Sequence, residues 1–246
     1  MSLTGKVIVI TGASSGIGEA LAVMCAKEGA RVCLGARRVE KLEAVRQRIM
    51  DAGGECAVRA TDVVDRAQMA ALVAAAEEAF GPVDVLVNNA GVMPLSFMKH
   101  LHQDEWDLMI DVNVKGVLNG IAAVLPSMLE RDAGDIVNIS SDAGRKLFPS
   151  GTVYCATKWA VEAITQGLRN ETKGTKIRVT SVQPGATTSE LCNSITDKSV
   201  FDMFAEDPLD RLLDADDVAR AVVYALQQPA HCAINEVLVR STSQRQ

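Results

Sequence analysis

The stretch Val7-Ile8-Val9-Ile10-Thr11-Gly12-Ala13-Ser14-Ser15-Gly16-Ile17-Gly18 stands near the start of the chain and decides its fold class. The apolar first half predicts a buried strand, and the glycines predict a tight turn that opens directly into a helix. The remainder of the 246 residues repeats this alternation of apolar strand and longer helical pattern. Repeated β-α units predict a parallel sheet with helices on both faces and right-handed crossovers. We therefore expect one α/β domain over residues 1–246, with a doubly wound, seven-stranded parallel sheet.

The strand and helix patterns have the following expected bounds. Strands are expected at Val7–Thr11, Arg31–Gly35, Glu55–Ala60, Val83–Asn88, Asp135–Ser140, Lys176–Gln183 and Glu236–Arg240. Helices are expected near Gly18–Glu28, Glu40–Ala52, Asp65–Phe80, Glu105–Arg131, Val153–Lys173 and Asp214–Gln228. A mixed segment, residues 187–213 with Pro208, interrupts the rhythm after the sixth strand. At the carboxyl edge of the sheet it would overhang a ligand crevice, and we expect it to be a substrate lid.

The composition describes an ordinary globular protein that acts on small molecules. Hydrophobic residues make up 48% and charged residues 23% of the chain, while aromatic residues reach only 4%. The net charge of −6 argues against nucleic acid as a partner, because proteins that bind the phosphate backbone usually present a basic face. No run approaches the length of a membrane span and no signal peptide precedes the first strand, so we expect a cytoplasmic protein with no membrane partner.

The six cysteines predict no metal site. They are scattered without a C-x-x-C pair, and no histidine cluster accompanies them. Scattered thiols in a chain of this size are usually reduced residues of the core. Cys155 adjoins Tyr154, but consecutive side chains of a helix point in different directions, so we expect it to face elsewhere.

The glycine-rich turn after the first strand is a candidate phosphate-binding loop. In such a loop, backbone N–H groups at a helix N-terminus bind the pyrophosphate of a dinucleotide, and glycines permit its close approach. The spacing here is G-x-x-x-G-x-G rather than G-x-G-x-x-G, so the turn is either a phosphate loop or a structural turn. Its place directly after a strand favours the phosphate loop. The candidate cofactor-binding residues are Gly12, Ser14, Ser15, Gly16, Ile17 and Gly18.

The end of the second strand predicts a preference for NADP. An acidic residue at this point would hold the adenosine ribose of NAD, but the chain has Arg37 and Arg38 instead. A guanidinium offers a planar fork of donors to a 2′-phosphate, although the two arginines could also be solvated. Two more loops follow strands, Asp62-Val63, which could bracket adenine, and Asn89-Ala90-Gly91, whose small residues allow close approach of the backbone.

Tyr154 and Lys158 are the candidate catalytic pair. They are one helical turn apart, so the ammonium lies beside the phenol and can lower its pKa. A phenol of this kind can exchange a proton with an alcohol or carbonyl. By themselves the two residues could also be a chance helical pair. Ser141 follows the fifth strand, where it could cap a turn, and Asn113 stands inside a predicted helix, where Asn is unfavourable.

Taken together, these motifs resemble the short-chain dehydrogenase/reductase family. The set comprises the Thr11–Gly18 loop, Asn88-Asn89-Ala90-Gly91, Asn113, Ser141, Tyr154-x-x-x-Lys158 and Pro184-Gly185, in the order of the family and over nearly the whole chain. The resemblance implies a Rossmann fold and a nicotinamide cofactor. The Ala36-Arg37-Arg38 stretch and the short tail are similar to NADP-preferring carbonyl reductases, a group that includes clavulanate dehydrogenase and 3-hydroxy acid dehydrogenases.

The resemblance implies a role for each motif residue. Tyr154 would donate the proton in reduction, and Lys158 would lower its pKa and hold the nicotinamide ribose. Ser141 would polarise the substrate oxygen, and Asn113 would keep a water that links Lys158 to solvent. Pro184, Gly185 and Thr187 would lie beside the nicotinamide, with Ser189 near the pyrophosphate. The residues expected to line an apolar substrate pocket are Met93, Ser141, Leu147, Phe148, Tyr154, Leu191 and Phe201.

Two positions depart from the family pattern. Ser15 stands where many NADP-dependent members have a basic residue, so the 2′-phosphate would depend on Arg37 and Arg38. Asp142 follows Ser141, where it either repels anionic substrates or points to solvent, and solvent is the favoured reading. Arg145 and Lys146 could instead attract a carboxylate.

We expect reversible, NADPH-dependent reduction of a ketone or aldehyde. The alternative within the enzyme class is NAD-linked oxidation of a secondary alcohol or hydroxy acid. A third reading is a regulatory protein that senses NADP without turnover, which would need the phosphate loop but not the four candidate catalytic residues. The resemblance also implies a homo-oligomer, a tetramer or dimer, built through the helices near residues 105–131 and 153–173.

Overall fold

A computed structural model of the protein describes residues 2–206 and 211–244. Its centre is one seven-stranded sheet in the order β3-β2-β1-β4-β5-β6-β7, and every pair of neighbouring strands is parallel. This confirms the expected doubly wound α/β fold. The strands are β1 Val7–Thr11, β2 Arg31–Ala36, β3 Glu55–Ala60, β4 Val85–Asn88, β5 Gly134–Ile139, β6 Ile177–Pro184 and β7 Glu236–Val239.

The helices occupy the intervals between the strands. They are α1 Gly16–Lys27, α2 Val39–Asp51, α3 Arg66–Phe80, α4 Gln103–Ile110, α5 Gly116–Glu130, α6 Thr152–Glu171, α7 Lys198–Glu206 and α8 Ala215–Leu226. Shorter turns are the 3-10 segments Met98–His100, Asp142–Gly144 and Glu190–Ser194 and the π-helical segment Asp111–Lys115.

The structure differs from the sequence-based expectation in two places. The expected helix Glu105–Arg131 is α4 and α5 with the π-helical turn Asp111–Lys115 between them. Such turns are rare, and this one contains Asn113, whose side chain hydrogen-bonds to Val92 outside the helix. The segment expected to be an irregular lid contains the Glu190–Ser194 turn and α7, whereas Pro208 lies outside the described residues. Other element ends agree within two residues.

Helices on both faces of the sheet explain the unbroken apolar run of β1. Ile8 and Ile10 belong to the core under α1, α2 and α8, while Val7 and Val9 belong to the core under α3, α5 and α6. All four side chains are at most 2% exposed. Burying each of them contributes about 1.5–3 kcal/mol relative to exposure, which stabilises a strand with no polar face.

The strand order places the ligand crevice. β1 pairs with β2 on one side and with β4 on the other, so the direction of chain progression reverses between β1 and β4. In open parallel sheets, ligands bind beyond the carboxyl ends of the strands at such a reversal. The loops that begin at Gly12 and Asn89 follow these two strands and therefore face the crevice.

One helical stretch is long enough to raise the question of a membrane, contrary to the expectation from sequence. Gln103–Glu130 has 28 residues and a mean hydropathy of 1.5, which by length and composition alone would suffice for a membrane span. Half of its apolar window is buried inside the protein. Val117, Val124 and Met128 pack under the sheet, so α5 has the packing of a core helix.

The cysteines are free thiols, and four of them belong to the core. Cys25, Cys33 and Cys155 are fully buried and Cys56 is 9% exposed. Burial raises the pKa of the Cys25 thiol to about 12, as expected for an unreactive core residue. Cys192, on the Glu190–Ser194 turn, is exposed and departs from the expectation of core thiols.

Candidate functional site

A cavity of about 820 Å³ lies at the carboxyl edge of the sheet. It is lined by the ends of several strands and by the segment after β6, as expected for the crevice of a doubly wound sheet. The candidate residues from the sequence that line it are Gly12, Ser14, Ser15, Gly16, Ile17, Arg37, Arg38, Asp62, Val63, Asn89, Ala90, Gly91, Met93, Ser141, Phe148, Tyr154, Lys158, Pro184, Gly185, Thr187, Ser189 and Leu191.

Four candidate residues lie outside the cavity lining. Leu147 is 70% exposed and Phe201 is 49% exposed, so the expectation that they line the substrate pocket is wrong for this structure. Sequence alone does not show which apolar residues of a loop point outward. Gly18 and Asn113 are buried behind the lining, where they position other residues.

The glycine loop is held tightly against the loop that follows β4. The Thr11 hydroxyl accepts hydrogen bonds from the backbone N–H groups of Asn89 and Ala90, at 3.0 and 3.1 Å. The side-chain amide of Asn89 donates from Nδ2 to the Thr11 carbonyl oxygen at 2.9 Å. A Cβ atom on Gly12 would lie 2.7 Å from the Ala90 Cα, and the positive φ of 65° at Gly12 also favours glycine. The two loops therefore form one rigid rim.

The N-terminus of α1 suits the pyrophosphate of a dinucleotide. Ser15 is the N-cap, yet its side chain makes no capping hydrogen bond, so it leaves the first N–H groups of α1 to another acceptor. The positive end of the helix dipole favours an anion there. These N–H donors fit a bound dinucleotide.

The adenosine end of the cavity carries a basic cluster. Arg38 donates to the hydroxyl groups of Ser14 and Ser15, at 2.9 and 2.7 Å from Nη2. It also pairs with Glu190, which pairs in turn with Lys41. Arg37 lies exposed on the cavity rim. Lys41 and Glu190 were not among the sequence candidates.

Different signals apply to those two missed residues. Lys41 could have been noticed as a third cation one turn beyond the arginine pair. Glu190 could not, because nothing local indicates that its carboxylate reaches Arg38, 152 positions away in the chain.

Asp142 differs from its expected place in solvent. Its side chain is only 9% exposed and is held by Lys146, Arg240 and Gln244, with distances of 2.9, 3.2 and 2.8 Å to Oδ2. A buried carboxylate needs such partners, because desolvation without them is costly. The solvent reading is therefore wrong. Lys146 is engaged by Asp142 in this arrangement and is not free to attract a substrate carboxylate.

Ser141 and Tyr154 meet at the cavity wall. The Ser141 hydroxyl accepts from the Ala143 N–H at 3.1 Å and lies within 3.4 Å of the Pro184 carbonyl oxygen. Tyr154 is 5% exposed and packs among Leu95 and other apolar residues. Burial raises the pKa of the Tyr154 phenol, and the neighbouring Ser141 hydroxyl lowers the pKa by a smaller amount. The net rise is opposite to the lowering expected from Lys158, because desolvation of the buried phenol is the largest effect.

Lys158 lies on the same face of α6 as Tyr154. Its Nζ donates to the Ile139 carbonyl oxygen at 3.1 Å and lies 5.7 Å from the centre of the Tyr154 ring. Burial lowers the pKa of Lys158 to about 8, although Glu162 opposes the change. Lys158 is therefore a buried amine that exchanges its proton near neutral pH.

Asn113 connects the loop after β4 to α6. Its Oδ1 accepts from the Val92 N–H and its Nδ2 donates to the Val92 carbonyl, both at 2.9 Å. Nδ2 also donates to the Thr157 hydroxyl at 3.1 Å, and that hydroxyl donates to the Tyr154 carbonyl. Asn113 thus positions the cavity wall and α6 relative to one another.

Two curated relatives are similar over almost the whole of this chain. Glycine betaine reductase ATRR of Emericella nidulans is 49% identical over 237 residues, covering 96% of this chain but 19% of that protein. The chain therefore spans about a fifth of the length of this relative. An uncharacterized oxidoreductase of Staphylococcus saprophyticus is 45% identical over 245 residues, covering 97% of each chain.

Solved structures agree with both the fold and the family. The closed form of serine dehydrogenase complexed with NADP+ matches with a TM-score of 0.89 and 32% identity, covering 98% of this chain and 96% of that one. A short-chain dehydrogenase/reductase from Burkholderia phymatum in complex with NAD matches with a TM-score of 0.88 and 30% identity, covering 97% and 90%. The family model for short chain dehydrogenase matches residues 6–199. With this match over most of its length, the chain belongs to the short-chain dehydrogenase family of oxidoreductases, whose fold binds a nicotinamide cofactor.

Proposed function

We propose that the protein reduces a ketone or aldehyde to an alcohol with NADPH, in a reversible reaction. The observation that carries this proposal is the placement of Ser141, Tyr154 and Lys158 together on the cavity wall, with Lys158 one helical turn from Tyr154. The cofactor supplies the hydride when it is bound, and the protein supplies position and a proton.

The protonation state of Tyr154 suits the direction of reduction. A proton donor must carry its proton at working pH, and burial keeps the phenol in that form. The Ser141 hydroxyl would donate to the substrate oxygen as negative charge develops there. Lys158, with a pKa of about 8, would resupply the proton after transfer and hold the nicotinamide ribose.

The preference for NADP is proposed from Arg37 and Arg38. Arg38 lies at the entrance of the glycine loop, and Arg37 is exposed on the rim of the same cavity. The end of β2 carries these two guanidiniums and has no carboxylate that would bind the ribose hydroxyls of NAD. Similar solved structures contain NADP in one case and NAD in another, so the preference requires a direct measurement.

The decisive experiment is a carbonyl panel with NADPH and with NADH. We expect NADPH oxidation with at least one aldehyde or ketone, and we expect the variant Arg37→Ala/Arg38→Ala to lose the preference for NADPH. An unchanged preference in the double variant would remove the arginines from the proposal. Turnover mainly of alcohols with NAD would favour the oxidative alternative, and tight NADPH binding without any turnover would favour a sensor.

The panel should vary the charge of the substrate, because the residues that line the cavity do not favour a single substrate charge. Met93, Leu95, Phe148 and Leu191 provide an apolar wall, while Asp142 is neutralised by its own partners. The names of similar proteins refer to glycine betaine and to serine. Neutral, carboxylate-bearing and quaternary-ammonium carbonyl compounds therefore test the substrate class directly.

The segment 187–213 is proposed to close over the substrate. Its described parts line the cavity through Thr187, Ser189, Leu191 and Leu212. Closure would exclude water from the hydride transfer. Slower hydrogen exchange in this segment with cofactor and substrate would support the proposal, and equal exchange in both states would contradict it.

We also propose a cytoplasmic homo-oligomer formed through α5 and α6. Leu118, near the start of α5, and Trp159, inside α6, are 46% and 50% exposed, and a second copy of the chain would cover both. The free cysteines suit a reducing compartment. Light scattering of the wild type and of Trp159→Glu tests the assembly, since a charge at a buried interface should dissociate it.

A further inference from the structure

The lid segment reaches across the cavity and contacts the basic cluster through one carboxylate. Glu190 begins the Glu190–Ser194 turn, and its Oε2 lies 2.5 Å from Arg38 Nη1. The other oxygen, Oε1, lies 2.5 Å from Lys41 Nζ. Each oxygen therefore binds one cation, and the two cations belong to the start of α2.

The surroundings of this carboxylate are those of a phosphate site. The Lys41 ammonium and the Arg38 guanidinium both hydrogen-bond Glu190, and together with the nearby Ser15 hydroxyl they lower the pKa of its carboxyl group to about 2. Arg38 is itself oriented by the hydroxyl groups of Ser14 and Ser15. A guanidinium and an ammonium directed at one anion, with a hydroxyl nearby, match the oxygens of a phosphate monoester.

Glu190 forms ion pairs with Arg38 and Lys41, but these pairs are exposed enough for another anion to replace the carboxylate. The side chains of Arg38, Lys41 and Glu190 are 47%, 46% and 41% exposed. Exposed ion pairs contribute little to stability, because water and salt screen them. A phosphate carries more negative charge than a carboxylate and offers three acceptor oxygens, so it competes effectively for the same donors.

We propose that Glu190 is an internal anion occupying the 2′-phosphate site formed by Arg38, Lys41 and Ser15, and that a 2′-phosphorylated adenosine displaces it. Lys41 is thereby assigned as a further residue that determines cofactor specificity. Displacement also releases the Glu190–Ser194 turn from α2, so binding of the 2′-phosphate changes the contacts of the 187–213 segment. This inference rests on the proposed preference for NADP.

Adenosine 2′,5′-bisphosphate and adenosine 5′-monophosphate separate the phosphate from the rest of the cofactor. Calorimetric titration of Glu190→Gln should show binding of the bisphosphate about three to ten times tighter than wild type, because the competing charge is gone. Binding of the monophosphate should stay unchanged. Lys41→Met should weaken bisphosphate binding and leave monophosphate binding unchanged.

Glu40→Gln is the matched control. It removes an exposed carboxylate from the residue next to Lys41, outside the contact with Arg38. An equal gain in bisphosphate affinity from Glu40→Gln and Glu190→Gln would indicate a general charge effect and overturn the proposal. Unchanged bisphosphate binding in Glu190→Gln would overturn it as well, and unchanged binding in Lys41→Met would overturn the assignment of Lys41.

Hydrogen exchange without any ligand separates this inference from the proposed function. The amides of residues 190–194 should exchange faster in Glu190→Gln than in wild type, because the turn is no longer tied to α2. Equal exchange would contradict the tie even if the protein prefers NADPH. Equal affinity of the wild type for bisphosphate and monophosphate would instead contradict the preference for NADP, whatever the exchange shows.

Discussion

The Lys158 ammonium nitrogen lies 5.7 Å from the centre of the Tyr154 ring, and both side chains are almost fully buried. Burial raises the pKa of the phenol and lowers the pKa of the amine, so it shifts each group toward its neutral form, although the amine keeps its proton below about pH 8. A neutral phenol is the form that donates a proton to a carbonyl oxygen. This protonation state fits the proposed direction of reduction, since oxidation would require the phenol to lose its proton first.

Replacement of Tyr154 by Phe should reduce kcat with NADPH and an active carbonyl substrate by about a thousandfold, because general acid catalysis is lost. Binding of NADPH, measured by fluorescence, should change little. Tyr224 is the matched control, since it is the other tyrosine of the chain and is 57% exposed. Tyr224→Phe should retain full activity. Wild-type turnover in Tyr154→Phe would exclude the phenol as the proton donor.

The pKa of Lys158 predicts how stability depends on pH. It falls from 10.5 in the unfolded chain to about 8 in the folded protein. Below about pH 8 both states carry the proton, and the cost of burying the ammonium is present in full. From about 8 to 10.5 the unfolded chain keeps a proton that the folded protein has lost. The contribution of this group to the free energy of unfolding therefore rises with pH, by about 1 kcal/mol per pH unit at most.

The variant Lys158→Met has no ammonium that titrates at this position. Its comparison with the wild type therefore separates the contribution of Lys158 from those of the thiols and Tyr154. The difference in unfolding free energy, wild type minus Lys158→Met, should increase as the pH is raised from 8 to 10.5. Urea unfolding at a series of pH values measures it. Parallel pH profiles for the two proteins would show that the ammonium is not destabilised by burial.

Gly18→Ala should destabilise the protein, although alanine is ordinarily the better helix former. A Cβ atom at this position would lie 2.4 Å from Asn89 Nδ2 and 2.6 Å from the Gly12 carbonyl oxygen. Overpacking of this kind costs about 1–3 kcal/mol. Gly167, inside α6, has no neighbour within 4 Å of the same atom, so Gly167→Ala should stabilise by about 0.5–1 kcal/mol. Thermal unfolding of the two variants should show shifts of opposite sign, and shifts of the same sign would refute the close approach of the loops.

Asn113→Ala and Asn119→Ala should affect different kinetic constants. Asn113 holds Val92 and, through Thr157, the helix that carries Tyr154, so its loss should lower kcat by about tenfold to a hundredfold. Asn119 donates to the Val63 carbonyl at 2.8 Å, beside the expected adenine site. Its loss should mainly raise the KM for NADPH. Equal changes in both constants for the two variants would indicate a general loss of structure.

Sequence reasoning identified the elements because each one carries its own local signal. β1 is apolar on both faces, and the Gly12–Gly18 turn is typical of the start of a helix. The strand and the start of α1 were therefore predictable from neighbouring residues. Asn113 was noticeable as an unfavourable residue in a helical pattern. The π-helical turn that it occupies was not predictable, since it depends on hydrogen bonds to Val92, 21 positions away.

The sequence by itself determined the parallel sheet, because the periodicity of strands and helices is local, and its resemblance to a known family implied the phosphate loop and the set of Ser141, Tyr154 and Lys158. Tertiary structure alone decided the charge balance of the site. Glu190 forms an ion pair with Arg38, and Asp142 forms one with Arg240, because loops after different strands converge at one edge of the sheet. Burial, which sets the pKa of Tyr154 and Lys158, is likewise a property of the packed protein and of no single segment.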